Sequence, residues 1–352
     1  MNEMIKYIGD KDNKDKKIIL TSDAHWGEKE YDDLTQDKFK PREKRSTPEI
    51  PDATLLDTIF NRYRQGNERR FEVLLKEIQK VGEVEYLFFG GDMVSGYGER
   101  GLSGPRSQEA INKFKSVLDQ FIQPNIARKY VAGGHELGYR LPWSWDAQGG
   151  LNEIAIEMFE GNFNQLFFTF QEEQYKFVIL SSDLELLTDD SDGATDKILR
   201  KKKEQQEFYK DTISEAKKDE RIVLLIHDSD ALNTMFDFLG KHLSKIEKTF
   251  VGHHHAQWVT GLQKYLYLLA SSSLGTKSLE FLKQYVAESS LQHLLQKKDN
   301  GKIWKQVKMV TIPAPGGSFG VGGGFLVGRL GENGLEIQKH PLSIDYGLVT
   351  GR

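Results

Sequence analysis

Short, nearly continuous apolar runs alternate along the chain with longer segments whose apolar residues recur at helical spacing. The runs predict buried strands at KIILTS (17–22), VEYLFF (84–89), KYVA (129–132), KFVILSS (176–182), RIVLLI (221–226), TFV (249–251) and KYLYLLA (264–270). Phe71, Leu74, Leu75 and Ile78 form an i, i+3, i+4, i+7 stripe, which predicts a helix, and further helices are expected over 107–123, 197–218 and 231–247. Strands that alternate with helices are typical of an α/β fold with much parallel pairing.

The final part of the chain has a different pattern. Apolar runs at 307–312, 325–328 and 335–338 predict closely spaced strands, separated in part by the glycine-rich turn GGSFGVGGG. Such spacing favours an antiparallel addition to the sheet. We expect one domain over 1–352 with its core at 17–339 and two insertions, a charged loop or flap with a helix at 28–70 and a helical, leucine-rich segment at 276–305.

Composition narrows the class of protein. The 352 residues carry a net charge of −4, which gives no sign of a nucleic-acid partner. The charged N-terminus lacks the apolar run of a signal peptide, and no window approaches a membrane span. We therefore expect a cytoplasmic protein without a membrane partner, and predict no oligomeric state. The absence of cysteine restricts metal ligands to histidine, carboxylate and amide side chains.

Potential metal ligands follow five of the predicted strands. The strand at 249–251 leads into Gly252-His253-His254-His255, in which alternate imidazoles can converge on one point. The other strand ends lead into Asp23-Ala24-His25, Gly91-Asp92, Gly133-Gly134-His135-Glu136 and His227-Asp228. Ligands in open α/β sheets bind outside the carboxyl ends of the strands, where these groups are expected to meet.

In this order the motifs D-x-H, G-D, G-G-H-E, H and G-H-x-H resemble the signature of the calcineurin-like metallophosphoesterase superfamily, D-x-H, G-D, G-N-H-[DE], H, G-H-x-H. The resemblance extends from Lys17 to about Lys339. It implies a four-layer αββα sandwich of two mixed β-sheets flanked by helices, with a dinuclear metal centre at one edge.

The resemblance also assigns roles to residues. Asp23, His25 and His255 would hold one metal, His227 and His253 the other, and Asp92 would bridge the two. His135 would lie near the scissile phosphate as an acid or a charge stabiliser, and Glu136 would orient His135 by a hydrogen bond. Mixed nitrogen and oxygen ligands suit manganese, iron or zinc better than magnesium or calcium alone, and of these we expect manganese, with iron or zinc as alternatives.

The resemblance therefore implies a metal-dependent phosphoesterase that hydrolyses a phosphodiester or phosphomonoester by attack of a metal-bridging hydroxide. A phosphodiesterase is favoured over a phosphatase, because His135 can protonate a poor leaving group. A nuclease is less favoured, because the composition shows no basic groove. Among nearby arginines, Arg100, Arg106 and Arg140 could clamp a phosphate, although loop arginines are common.

The chain departs from the signature at Gly134, where the superfamily has an asparagine whose amide would ligate the second metal. Three protein ligands can still hold a catalytic metal. Gly134 could also be a substitution that traps substrate, or mark a branch that uses one metal or none. The alternative function is a catalytically impaired binding module. His254 points away from its neighbours by the period of a strand. Asp228 and Asp230 could orient His227 or an additional ion, but we expect them to cap a turn.

Overall fold

The computed structural model describes residues 16–26, 67–94, 101–138, 151–188, 194–253, 300–315 and 323–342. Within these ranges the strands are β1 (Lys16–Thr21), β2 (Tyr86–Phe89), β3 (Ala127–Tyr130), β4 (Phe168–Glu172), β5 (Tyr175–Ile179), β6 (Arg221–Ile226), β7 (Ile246–Val251), β8 (Met309–Thr311), β9 (Gly324–Gly331) and β10 (Gly334–Pro341). The helices are α1 (Asn67–Gln79), α2 (Gly104–Phe121), α3 (Gly134–Leu137), α4 (Glu153–Asn162), α5 (Ser182–Leu186), α6 (Asp196–Ser214), α7 (Ala231–Leu239) and α8 (Asn300–Gln306), with a 3-10 turn at Gly240–His242.

The first sheet has the strand order β10-β9-β1-β2-β3. Strands β1, β2 and β3 are parallel, with Leu20 opposite Phe88 and Phe88 opposite Lys129. Strand β9 runs antiparallel to β1, and β10 runs antiparallel to β9. The carboxyl ends of β1 and β2 therefore lie at the same edge of this sheet.

The second sheet has the order β4-β5-β6-β7-β8. Strands β5 to β8 are parallel, and β4 is an antiparallel edge strand. Leu225 in β6 lies opposite Ile179 on one side and Phe250 on the other. The carboxyl ends of β6 and β7 thus also share an edge.

The two sheets pack face to face, and the strand period of two decides which side each residue covers. In β1, Leu20 belongs to a buried cluster between the sheets that includes Phe177, whereas Ile19 belongs to a cluster with Phe71 of α1. Phe88 and Phe177 stack across the interface with ring centroids 5.3 Å apart. The inter-sheet core is therefore apolar and well filled with aromatic rings.

Helices cover the outer face of each sheet. Phe114 of α2 and Phe159 of α4 pack against the first sheet. Tyr209 of α6, Leu232 of α7 and Trp304 of α8 pack against the second. Two mixed five-stranded sheets flanked by helices confirm the predicted fold class.

Several elements differ from the sequence prediction. The predicted helix over 231–247 ends at Leu239, and a 3-10 turn and β7 follow. The predicted strand at 307–312 narrows to Met309–Thr311. Strand β4 and helices α4 and α5 were not predicted. The expected strand at 264–270, most of the 28–70 insertion and the helical segment at 276–299 lie outside the described residues.

Among the described residues, no helix combines the length and the apolar character that a membrane span requires.

Candidate metal centre

Both sheets direct predicted ligands to one edge of the sandwich. Asp23 and Asp92 follow β1 and β2 of the first sheet, and His227 and His253 follow β6 and β7 of the second. Asp23, Asp92 and His227 are buried, with 4%, 3% and 1% of their surface exposed. Burial of charged and polar groups is unfavourable unless they find partners, so their convergence calls for a chemical explanation.

Backbone hydrogen bonds join the two loops that leave the first sheet. The amides of Asp23, His25 and Trp26 donate to the carbonyls of Gly91, Asp92 and Met93 at 2.8, 3.0 and 2.9 Å. These bonds continue the β1–β2 pairing past the ends of the strands. The side chains of Asp23, His25 and Asp92 are held on a shared rigid frame as a result.

Four predicted ligands adopt the left-handed backbone conformation. Asp23, His25, Asp92 and His253 have φ values of 53°, 47°, 51° and 57°. This region is unfavourable for residues with a Cβ atom, at a cost of about 1 kcal/mol or more each. The strain is concentrated at the strand ends where ligands were predicted, which is typical of a functional site.

Gly91 explains the close approach of the two sheets. A Cβ atom there would lie 2.3 Å from Nδ1 of His227, and its φ is +101°. A side chain at Gly133 would meet Oδ1 of Asp92 at the same distance. Glycine is thus required before Asp92 and before the His135 helix so that the ligands can approach one another.

His227 connects the two sheets through its ring nitrogens. Nδ1 lies 2.7 Å from the carbonyl oxygen of Gly90, and Nε2 lies 3.0 Å from Oδ2 of Asp92. Because a carbonyl can only accept, Nδ1 carries the proton, and Nε2 of the neutral ring presents its lone pair towards a carboxylate oxygen. Two facing lone pairs repel unless a proton or a cation lies between them.

The protonation of this pair reflects their coupling. Burial opposes charge on both, but the carboxylate of Asp92 raises the pKa of His227 well above its ordinary value. Conversely, the charges of His227, His135 and His25 overcome the burial of Asp92 and lower its pKa well below the usual range. An ionised carboxylate beside nitrogen donors is the state that a metal ligand requires.

Two groups of potential ligands share Asp92. In the first, ligand atoms of His25, Asp92 and His135 lie within 4.8 Å of one another, and in the second those of Asp92, His227 and His253 do so. The donors are imidazole nitrogens and a carboxylate oxygen, a set that suits a divalent transition metal. The facing lone pairs of His227 and Asp92 fit the same ion, so the residues present are compatible with two metal sites that meet at Asp92.

The first group contains His135, which the family resemblance would place near the substrate. Its ring meets that of His25 edge to face, with centroids 4.6 Å apart, and its amide donates to Oδ1 of Asp92 at 2.9 Å. His135 is exposed, unlike the buried His25 and Asp92. It therefore borders both the potential ligands and the solvent.

Glu136 fixes the backbone around Asp92. Its Oε2 accepts from the amides of Asp92 and Gly133 at 3.0 and 2.9 Å, and its Oε1 accepts from Val94 at 2.9 Å. Burial and the charge of Asp92 raise the pKa of Glu136 to about 7. These hydrogen bonds go to backbone amides, and the expected orienting bond to His135 stays a prediction.

The remaining sequence predictions have mixed outcomes. Asp228 accepts from the amide of Asp230 at 2.8 Å through its Oδ1, which confirms the expected turn. Arg106 is exposed on α2. His254, His255, Arg100 and Arg140 lie outside the described residues, so the predicted contribution of His255 to the first metal stays a prediction.

No role was predicted for Asp183, although a predicted strand ends near it. It lies in the first turn of α5 and is only 2% exposed. The signal was the same as for the other ligands, an acidic residue shortly after a buried strand. The residue was missed because it lies in a short helix that begins shortly after the strand.

Comparison with known proteins gives a limited result. No protein-family model matches the chain, and no curated protein matches it. One similar solved structure is a dimetal phosphatase from Danio rerio, at 11% identity and a TM-score of 0.48, over 93% of this chain and 96% of that one. A likeness at this level does not bear on the chemistry of the site.

Proposed function

We propose that the chain is a metal-dependent phosphoesterase with a dinuclear centre. One observation carries this proposal, namely that two groups of potential ligands share Asp92. His25 and Asp92 of the first group would hold one ion with Asp23 and His255, and His227 and His253 would hold the other with Asp92. Two divalent ions there would polarise a phosphoryl oxygen and lower the pKa of a water towards neutrality.

The two oxygens of Asp92 suit a bridging role because they face different groups. Oδ1 lies on the side of His135, and Oδ2 on the side of His227. Glu136 accepts a hydrogen bond from the backbone amide of Asp92, which fixes the backbone that carries this carboxylate. The protein supplies in this way a fixed anionic group at the midpoint of the site.

His135 is the residue that we propose acts on the substrate. Its exposure leaves the ring accessible to a bound phosphate ester, where a ring nitrogen can donate a proton to the leaving oxygen. This supports an ester whose leaving group is an alkoxide, which needs a proton more than a phenolate does, and we propose that this ester is a phosphodiester. Manganese is the metal that we expect to support the reaction.

The test measures bound manganese and hydrolysis on the same preparations. Wild type should bind two ions per chain and hydrolyse bis-p-nitrophenyl phosphate, whereas Asp92→Asn should lose metal and at least about 100-fold in rate. Asp119→Asn, at a largely exposed position on α2, makes the same chemical change away from the site and should behave as wild type. Full activity of Asp92→Asn would refute the proposal.

A variant separates the role of His135 from metal binding. His135→Ala should keep bound manganese and lose more rate with an alkyl leaving group than with p-nitrophenolate, because only the former needs the proton. Equal losses with both leaving groups would argue against proton donation.

Gly134 favours a second candidate function, a binding module that retains metal without hydrolysis. Gly134 begins α3 beside His135 and has no side chain to offer a ligand. A metal-loaded protein that hydrolyses neither diesters nor monoesters, yet binds a phosphate ester in calorimetry, would support this candidate.

A further inference from the structure

Asp183 follows β5, the strand next to the one that leads to His227, and belongs to neither ligand group of the candidate metal centre. The amide of Leu180 donates to the carbonyl of Leu225 at 3.0 Å, so the β5–β6 pairing continues to the residues just before α5. Helix α5 therefore begins beside the strand end that leads to His227. Its first turn carries Asp183.

The carboxyl group of Asp183 is buried and accepts few hydrogen bonds. The residue is 2% exposed, and its Oδ2 has no hydrogen-bond partner among the described residues. Its Oδ1 receives a long bond of 3.4 Å from Oγ of the neighbouring Ser182. A buried carboxylate with so few donors is unfavourable unless a cation compensates it.

The charges that act on Asp183 come from residues that follow strands of both sheets. Burial raises the pKa of its carboxyl group well above the ordinary value, His227 opposes this, and Asp92, Asp228 and Glu136 add to it. Asp92 and Glu136 follow strands of the first sheet, and His227 and Asp228 follow β6 of the second. Asp183 thus interacts electrostatically with the candidate ligands Asp92 and His227.

We propose that Asp183 is a positioning residue for the ion held by Asp92, His227 and His253, which it stabilises by its negative charge without ligating it. The inference rests on the proposed function. The group around that ion offers one carboxylate, shared with the other site, and two neutral imidazoles against a dication. A buried anion nearby offsets the remaining charge.

This role makes a prediction that a purely structural role does not. Without metal, the negative charge of Asp183 destabilises the folded state, and with metal the same charge stabilises it. Asp183→Asn should therefore melt at a higher temperature than wild type in EDTA, and its second manganese ion should bind about tenfold more weakly. A structural role would lower the melting temperature in both conditions.

The experiment titrates Mn²⁺ into metal-free protein by calorimetry and records thermal unfolding with and without the ion. Glu185→Gln is the matched control, because Glu185 is equally buried in α5 but accepts bonds from Gln206 and Thr234. It should leave the second manganese affinity unchanged. Asp183→Ser, which also removes the charge, provides the same measurement should the asparagine variant fail to fold.

The outcomes distinguish the two proposals. Two tightly bound ions in wild type, with unchanged second-ion affinity in both Asp183 variants, would overturn this inference and leave the proposed function intact. A wild-type chain that binds no manganese would remove the proposed function and this inference together.

Discussion

Nε2 of His227 lies 3.0 Å from Oδ2 of Asp92, and the two residues follow strands of different sheets. The contact is buried on both sides. It is therefore an ionic or metal-bridged link across the sandwich at the edge where the other potential ligands collect.

The first prediction concerns this link in the metal-free protein. His227→Asn leaves Asp92 buried without its strongest partner, so we expect the free energy of unfolding in EDTA to fall by about 3 kcal/mol. Urea denaturation measures the change. His242→Asn, in the 3-10 turn before β7 and remote from the candidate centre, should change stability by much less.

The second prediction concerns pH. The pKa of Glu136 is about 7 in the folded protein against 4.5 for the free group, so the folded state holds a proton that the unfolded state releases. Stability therefore falls as pH rises through this interval. The raised pKa of His227 acts in the same direction, because the stability that its protonation confers is present below about pH 6.5 and lost as pH rises.

We expect the metal-free protein to lose on the order of 2 kcal/mol through Glu136 between roughly pH 5.5 and 8.5. Thermal or urea unfolding across this range in EDTA measures the loss. Glu136→Gln should reduce the slope, and added manganese should reduce it in wild type because the ion neutralises Asp92. A metal-free protein that gains stability towards alkaline pH would contradict this account.

The third prediction uses two glycines that both have a positive φ but differ in their surroundings. Gly91→Ala adds a Cβ atom 2.3 Å from Nδ1 of His227, so it should cost more than about 3 kcal/mol and displace the ring. Gly82→Ala has the same sign of φ, at +88°, but nothing within 4 Å. It should cost about 1 kcal/mol from backbone strain alone.

Urea unfolding of both variants checks the difference. Equal losses would show that His227 moves aside freely, which the close fit of its ring between Gly90 and Asp92 argues against.

The fourth prediction concerns Gly134. An asparagine there supplies an amide oxygen beside His135, and we expect Gly134→Asn to tighten the second manganese ion by about tenfold. Calorimetric titration measures the affinity. Gly161→Asn, where a side chain would meet nothing within 4 Å, is the control. Unchanged affinity in Gly134→Asn would mean that position 134 does not border the ion.

The strand pattern predicted the parallel core well, because strands such as β6 are buried on both faces and read as continuous apolar runs. Strand β4 was missed for the opposite reason. It is an edge strand in which Phe168 and Phe170 alternate with polar residues, a weaker signal than an apolar run. Helix α5 was missed because its five residues are too few to show a helical period.

Residues of the site could be predicted from the sequence where they directly follow strands. The family resemblance implied that Asp92 and His227 share a metal, and each follows a strand that has a parallel neighbour. The three backbone amides held by Glu136 could not be foreseen, since hydrogen bonds to the backbone leave no pattern in the sequence. Asp183 was hidden for a similar reason, because its significance depends on which charges surround it after folding.

The pairing of β1 with β9 has a consequence for how the molecule forms. Ile18 lies opposite Gly328, so the first sheet joins segments from the two ends of the described chain, whereas the second sheet is built from one continuous stretch between them. Closing so long a loop is entropically expensive before its contacts form, and high contact order slows folding. We expect the second sheet to be complete before the first during synthesis, because β9 and β10 of the first sheet are made after β8.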